Sequence, residues 1–99
     1  MTQPRSTPVH PGELLYEGFM KPRNLSATAL ALKLGVLPAR VRDIVKGKRP
    51  ITVDFAVRLA RYLDCDPMIW LEVRAQHDLQ VARRKIQALA EQGHTGRST

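Results

Sequence analysis

Basic side chains are concentrated in one short stretch of this sequence. Residues 21–49 hold eight lysines and arginines and a single acid, Asp43, so this stretch carries the entire formal net charge of +7 of the 99-residue chain. Evenly spread basic residues serve solubility, whereas a concentrated block indicates a polyanionic partner. Nucleic acid is the partner that we favour, and an acidic protein and a membrane surface are the alternatives that charge alone leaves open.

Within this stretch, residues 27–46 have the spacing of two short helices that cross at a tight turn. Such a helix-turn-helix unit needs a glycine in the turn, a small residue where the helices touch, and apolar residues at fixed internal positions. Gly35 stands at the turn position and Ala31 at the contact position. The remaining internal positions are all apolar: Leu30, Leu34, Val36, Val41 and Ile44. Because these requirements hold jointly, the pattern predicts a helix-turn-helix.

The same spacing puts a second set of side chains on the outer face of the second helix of the unit. Recognition helices place such residues against base edges in the major groove, where Arg42 can donate to guanine and Asp43 can accept from cytosine. Ala39 can contact the methyl group of a thymine. We predict base contacts from six residues: Pro38, Ala39, Arg40, Arg42, Asp43 and Lys46. Ion pairs of Arg42 and Asp43 with neighbours on the helix surface are the alternative.

Four further residues flank this helix and suit the sugar-phosphate backbone. Ser26 and Thr28 lie at the start of the preceding helix, whose free backbone N–H groups attract anions. Lys48 and Arg49 follow the recognition helix, where they can hold the adjacent backbone. We predict that all four contact phosphates, and a basic face that is merely solvated is the alternative.

Capping residues, prolines and glycines divide the chain into helices, and no strand-like alternation occurs along it. The start signals, which include the caps Ser26, Thr52 and Asp66, predict an all-α fold of five helices. We expect residues 1–9 to form a flexible N-terminal arm, residues 10–92 to form the domain and residues 93–99 to form a disordered tail. The fourth helix is predicted to bury a stripe of five residues: Val53, Ala56, Val57, Ala60 and Leu63.

Several short segments between residues 9 and 83 together resemble the HigA/VapI-type antitoxins of the Xre (lambda-repressor-like) helix-turn-helix superfamily. The segments are His10-Pro11-Gly12-Glu13, Leu25-Ser26, Ala29-Leu30-Ala31, Leu34-Gly35-Val36, Gly47-Lys48-Arg49-Pro50-Ile51-Thr52, Arg58-Leu59-Ala60, Pro67-Met68-Ile69-Trp70-Leu71 and Asp78-Leu79. Leu37 departs from the resemblance, because the family often has Ser or Thr at this position. Leucine lacks the hydroxyl group that could cap the helix or donate a hydrogen bond to a phosphate, so the operator preference of the family does not carry over.

The resemblance implies a five-helix lambda-repressor-like domain with a long C-terminal helix. It further implies a homodimeric repressor that binds a palindromic operator in its own operon and neutralises a HigB/RelE-like toxin, an mRNA endonuclease. One alternative is a stand-alone Xre-type transcriptional regulator without a toxin. Another is a toxin-neutralising interaction module that binds DNA weakly.

The last helix has an apolar seam that is longer than a domain of this size needs for its own core. Apolar residues recur at steps of three and four from Met68 to Leu89, and we expect the helix to end near Ala90. We predict a dimer interface formed by five residues: Trp70, Leu71, Leu79, Ala82 and Ile86. A toxin-binding surface, and packing of the whole seam against its own domain, are the alternatives.

Catalytic and metal-binding patterns are not found in this sequence. Its three histidines, His10, His77 and His94, are too dispersed for a metal site, and the lone Cys65 has no partner histidine nearby. We therefore expect no enzymatic activity, no metal and no cofactor. A single cysteine, no apolar run near 20 residues and no apolar leader favour a cytoplasmic protein without membrane contact. The resemblance implies that this cytoplasm is bacterial and that the protein is associated with the nucleoid.

Overall fold

The structure, a computed structural model, describes the backbone of residues 9–97 and the side chains of residues 9–92. This part of the chain forms five helices. They are α1 (Pro11–Leu15, continued by a π-helical turn at Tyr16–Met20), α2 (Ala27–Leu34), α3 (Pro38–Val45), α4 (Val53–Leu63) and α5 (Pro67–Arg97). No strand occurs in residues 9–97. The predicted all-α fold of five helices is confirmed. The predicted N-terminal arm lies outside the described residues, apart from Val9.

Side-chain caps begin three of the helices at the predicted positions. Ser26 and Thr52 each accept a hydrogen bond from the backbone N–H three residues further on, and Asp66 accepts a hydrogen bond from the backbone N–H two residues further on. These bonds satisfy donors that a helix leaves unpaired in its first turn. α2 ends at Gly35, which has the left-handed conformation (φ 74°) that glycine adopts without strain.

The buried stripe of α4 differs from the prediction. Ala56 and Ala60 are buried as expected, but they are accompanied by Phe55 and Leu59, whereas Val53 and Val57 are 61% and 42% exposed. The assignment of these two valines to the core is therefore wrong. A helix can bury only one stripe of its surface, and this stripe includes the larger Phe and Leu side chains.

Trp70 of α5 belongs to the core of the domain itself. Its side chain is 1% exposed, and its ring lies against the ring of Phe19, with 5.2 Å between the centroids. A side chain that is buried in its own domain offers no surface to a second copy. This placement corrects the assignment of Trp70 to a dimer interface. Leu71, the next residue, is half-buried against the same core.

α5 leaves the domain after its third turn. Every residue from Asp78 to Gln92 is exposed, and the helix continues to Arg97, beyond the predicted end near Ala90. The predicted disordered tail is therefore corrected for residues 93–97, because a glycine inside a helix costs only about 1 kcal/mol and does not by itself end one. Among the described residues, no helix has the length and apolar character required to cross a membrane.

Candidate nucleic-acid interface

α2, α3 and the turn between them form the predicted helix-turn-helix. Ala31 is completely buried where the two helices meet, and the backbone N–H groups of Gly35 and Val36 both donate to its carbonyl oxygen, at 2.8 and 3.0 Å. From α3, Val41 and Ile44 pack into the same core. The face of α3 opposite these two residues is left to solvent.

This outer face of α3, which we call the recognition face, consists of Ala39, Arg42, Asp43 and Lys46. Ala39, Arg42 and Lys46 are exposed, as the sequence spacing predicts. Within the described part of the chain, the Arg42 guanidinium takes part in no ion pair or side-chain hydrogen bond. A planar guanidinium in this position has the donors that match guanine O6 and N7.

Asp43 is the acid of the recognition face, and it forms an ion pair with Arg49. The Arg49 Nε lies 3.3 Å from the Asp43 carboxylate, and the Arg49 side chain is 60% exposed. This pair is the alternative that the sequence left open for Asp43. Exposed pairs of this kind stabilise a protein by about 0–1 kcal/mol, so Arg49 can exchange Asp43 for another anion at little cost.

Arg40 points away from the recognition face and towards α4. Its guanidinium donates to Thr52 Oγ1 at 2.8 Å, lies 3.4 Å from an Asp54 carboxylate oxygen and stacks over the Phe55 ring, 5.5 Å from the centroid. The prediction of a base contact from Arg40 is therefore corrected. Arg40 instead fixes α3 against the start of α4, and its neighbour Pro38 is half-buried in the first turn of α3.

Arg58 attaches α4 to the turn of the helix-turn-helix. One guanidinium nitrogen donates to the carbonyl oxygens of Leu34 and Gly35, at 3.0 and 3.3 Å, and Nε pairs with Asp54 at 3.0 Å. Asp54 thus binds both Arg58 and Arg40. The sequence analysis gave neither residue a role in the site, although the spacing of four residues between them is the signal of a helical ion pair.

The predicted phosphate contacts lie at the start of α2 and after α3. Thr28 is exposed in the first turn of α2, and the Ser26 hydroxyl accepts from the Ala29 N–H. Lys48 and Arg49 are exposed in the turn that follows α3. The backbone of this turn is fixed, since the Lys48 N–H donates to the Asp43 carbonyl oxygen at 2.8 Å.

The N-terminus of α1 supports the end of α3 from behind. Gly12 packs so tightly that a Cβ atom at this position would overlap the Ile44 carbonyl oxygen. His10 caps α1 through Nδ1, which accepts from the Gly12 N–H at 2.9 Å, and its ring contacts His77 of α5, with centroids 5.0 Å apart. Burial, followed by the nearby His77, lowers the pKa of His10. No group of residues in the described part of the chain is arranged to hold a metal ion.

Comparisons with known proteins agree with this geometry. A family described as "Helix-turn-helix" matches residues 19–70. The chain is 44% identical to Virulence-associated protein I of Dichelobacter nodosus, over 82% of this chain and 75% of that protein. It is 31% identical to Antitoxin HigA-1 of Vibrio cholerae, over 92% of this chain and 86% of that protein. Among solved structures, it is similar to the Pseudomonas aeruginosa antitoxin HigA with higBA promoter (TM-score 0.80, 35% identity, 86% of this chain and 92% of that chain).

Proposed function

Since the chain belongs to the Xre-type helix-turn-helix family that includes the HigA antitoxins, we propose that it is a sequence-specific DNA-binding repressor of its own toxin–antitoxin operon. The observation that carries this proposal is the exposed recognition face, on which Arg42 is presented without an ion pair in the described part of the chain. The solved HigA relative with promoter DNA supports the same assignment. The protein then acts in the bacterial cytoplasm, at the nucleoid.

Specificity in this proposal comes from α3. Arg42 donates to guanine, Ala39 contacts a thymine methyl group, and Lys46 reaches a base edge one turn further on. Asp43 accepts from cytosine once Arg49 has moved to a phosphate. Pro38 sets the backbone at the start of α3 against the groove.

Affinity comes from phosphate contacts on both sides of α3. Lys48 and Arg49 hold the DNA backbone on one side. On the other side, Thr28 and the free backbone N–H groups of the first turn of α2, which follows Ser26, hold it. These contacts position the helix and carry no sequence information. Lys48 and Arg49 supply two of the eight basic residues of the stretch 21–49.

A homodimer completes the site. One recognition helix covers too few base pairs to select an operator, so two copies must meet successive major grooves about 34 Å apart on a palindrome. The exposed part of α5 supplies an apolar surface for this, with Leu79, Ala82 and Ile86 at helical spacing and Leu71 at its inner end. The dimer therefore forms on the half of α5 that the domain itself does not cover.

The toxin partner is a HigB/RelE-like mRNA endonuclease, which the protein neutralises by binding it. The antitoxin names of the relatives support this part of the proposal. Co-purification with the product of the adjacent reading frame tests it directly. A chain that purifies alone but binds its promoter is a stand-alone regulator, and one that retains the toxin but ignores its promoter is an interaction module.

DNA binding is tested by the affinity for the promoter of the protein's own gene, measured against scrambled DNA of equal length and composition. We expect Arg42→Ala to weaken promoter binding by about 5- to 150-fold, equivalent to about 1–3 kcal/mol, with little effect on scrambled DNA. Arg61→Ala is the matched control, because it removes the same charge from an exposed position on α4. Equal affinity of the protein for promoter and scrambled DNA overturns the proposal.

A further inference from the structure

Leu37 is an exposed leucine at the N-terminal end of the recognition helix. It is the N-cap residue of α3, makes no capping hydrogen bond with its side chain and is 75% exposed. Ala39, two residues further on, is exposed as well. Both residues line one open cavity of about 500 Å³, whose other lining residues include the arginines Arg40, Arg49 and Arg58.

Neither helix formation nor packing accounts for a leucine at this position. Ser, Thr, Asp and Asn are favoured as N-caps, and α2, α4 and α5 all begin with one of them. A side chain that is three-quarters exposed contributes little to the core. A residue that departs from local preference without a gain in packing marks a site of function.

The surroundings of Leu37 indicate what it contacts. Of the three arginines of this cavity, Arg40 and Arg58 are already bonded to α4 and to the turn, so Arg49, with its exposed ion pair, is the one that can turn to an anion beside Leu37. In the major groove, the apolar group that a base edge presents is the 5-methyl of thymine, and phosphates flank it on both sides. The cavity that holds Leu37 and Ala39 combines these two properties.

We propose that Leu37 is a specificity-determining residue that contacts the 5-methyl group of one thymine in each operator half-site, with Ala39 beside it. This inference rests on the proposed function, since it requires α3 to lie in the major groove. It assigns to Leu37 a thymine preference at one base pair, in addition to the guanine contact of Arg42.

Replacement of thymine by uracil tests this contact, because uracil lacks only the methyl group. The DNA is the duplex that the protein protects in the promoter of its own gene, with each thymine replaced in turn. Fluorescence anisotropy gives the dissociation constant of each duplex. We expect one position per half-site at which uracil weakens binding about fourfold, the value for one methyl-sized group removed from water.

Two variants show whether Leu37 is responsible for this loss. Leu37→Ser loses most of the difference between thymine and uracil duplexes at the sensitive position, and the contact of Ala39 accounts for what remains. Leu32→Ser, the same change at a leucine of α2 that is 84% exposed, keeps the fourfold difference. Both positions are on the surface, so both variants fold, and circular dichroism verifies this. The proposal is overturned if no thymine is sensitive to uracil or if Leu37→Ser keeps the full fourfold difference. Failure of the wild-type protein to prefer its promoter over scrambled DNA overturns the proposed function instead.

Discussion

Replacement of Gly12 by alanine tests the packing that holds α3 in place. The new Cβ atom would overlap the Ile44 carbonyl oxygen and lie 2.6 Å from the Ile44 carbonyl carbon and 3.1 Å from the Val45 Cα. All three are backbone atoms, so no side-chain rotation can relieve the overlap. α1 must therefore move away from the last turn of α3.

The magnitude follows from two opposing effects. Overpacking of a core costs about 1–3 kcal/mol and occasionally more, and contact with rigid backbone places this case at about 3 kcal/mol. The higher helix propensity of alanine offsets at most about 1 kcal/mol. We expect a net loss of about 2 kcal/mol in the free energy of unfolding, which lowers the melting temperature of a domain of this size by about 10 °C.

Urea denaturation followed by far-ultraviolet circular dichroism measures this loss, at one protein concentration because the proposed dimer would add to stability. Gly18→Ala is the matched control, since a Cβ at Gly18 in the next turn meets only the Leu14 Cδ1 atom, at an ordinary 3.7 Å. This control is expected to be as stable as the wild type or slightly more stable. If the two alanine variants are equally stable, the close approach of α1 to α3 is refuted.

Four further outcomes are expected. Burial and the nearby His77 lower the pKa of His10, so the unfolded chain binds more protons than the folded chain just below pH 6.5, and the free energy of unfolding falls as the pH drops through this range. His10→Asn caps the helix without titrating, so denaturation curves at pH 7.5 and 5.5 show a smaller fall in its free energy of unfolding. Arg58→Ala frees the helix-turn-helix turn from α4 and weakens promoter binding several-fold more than it weakens binding to scrambled DNA, whereas equal losses would make Arg58 a phosphate contact. Lys48→Ala weakens binding to all sequences alike and reduces the slope of log affinity against log salt by about 0.9, and an unchanged slope contradicts its phosphate contact. Ile86→Asp gives a folded monomer in light scattering that has lost its promoter preference, and a variant that stays dimeric would place the interface elsewhere.

The sequence determined the features that depend on residues close together in the chain. A cap side chain bonds to an N–H group two or three residues away, so Ser26, Thr52 and Asp66 predicted where α2, α4 and α5 begin. Gly35 predicted the turn for the same reason, since its left-handed backbone is a local requirement. The helix-turn-helix spacing then placed Ala39, Arg42 and Lys46 on one exposed face.

Only the tertiary structure decided the features that depend on how the helices are rotated against one another. Arg40 turns to Thr52, the N-cap of α4, Trp70 turns into the core, and Val53 is exposed. Each of these residues lies at the edge of an apolar stripe or carries a long side chain, so its surroundings are set by a neighbouring helix distant in sequence. Periodicity gives the spacing of an apolar stripe, and packing against a neighbouring helix selects which residues occupy it.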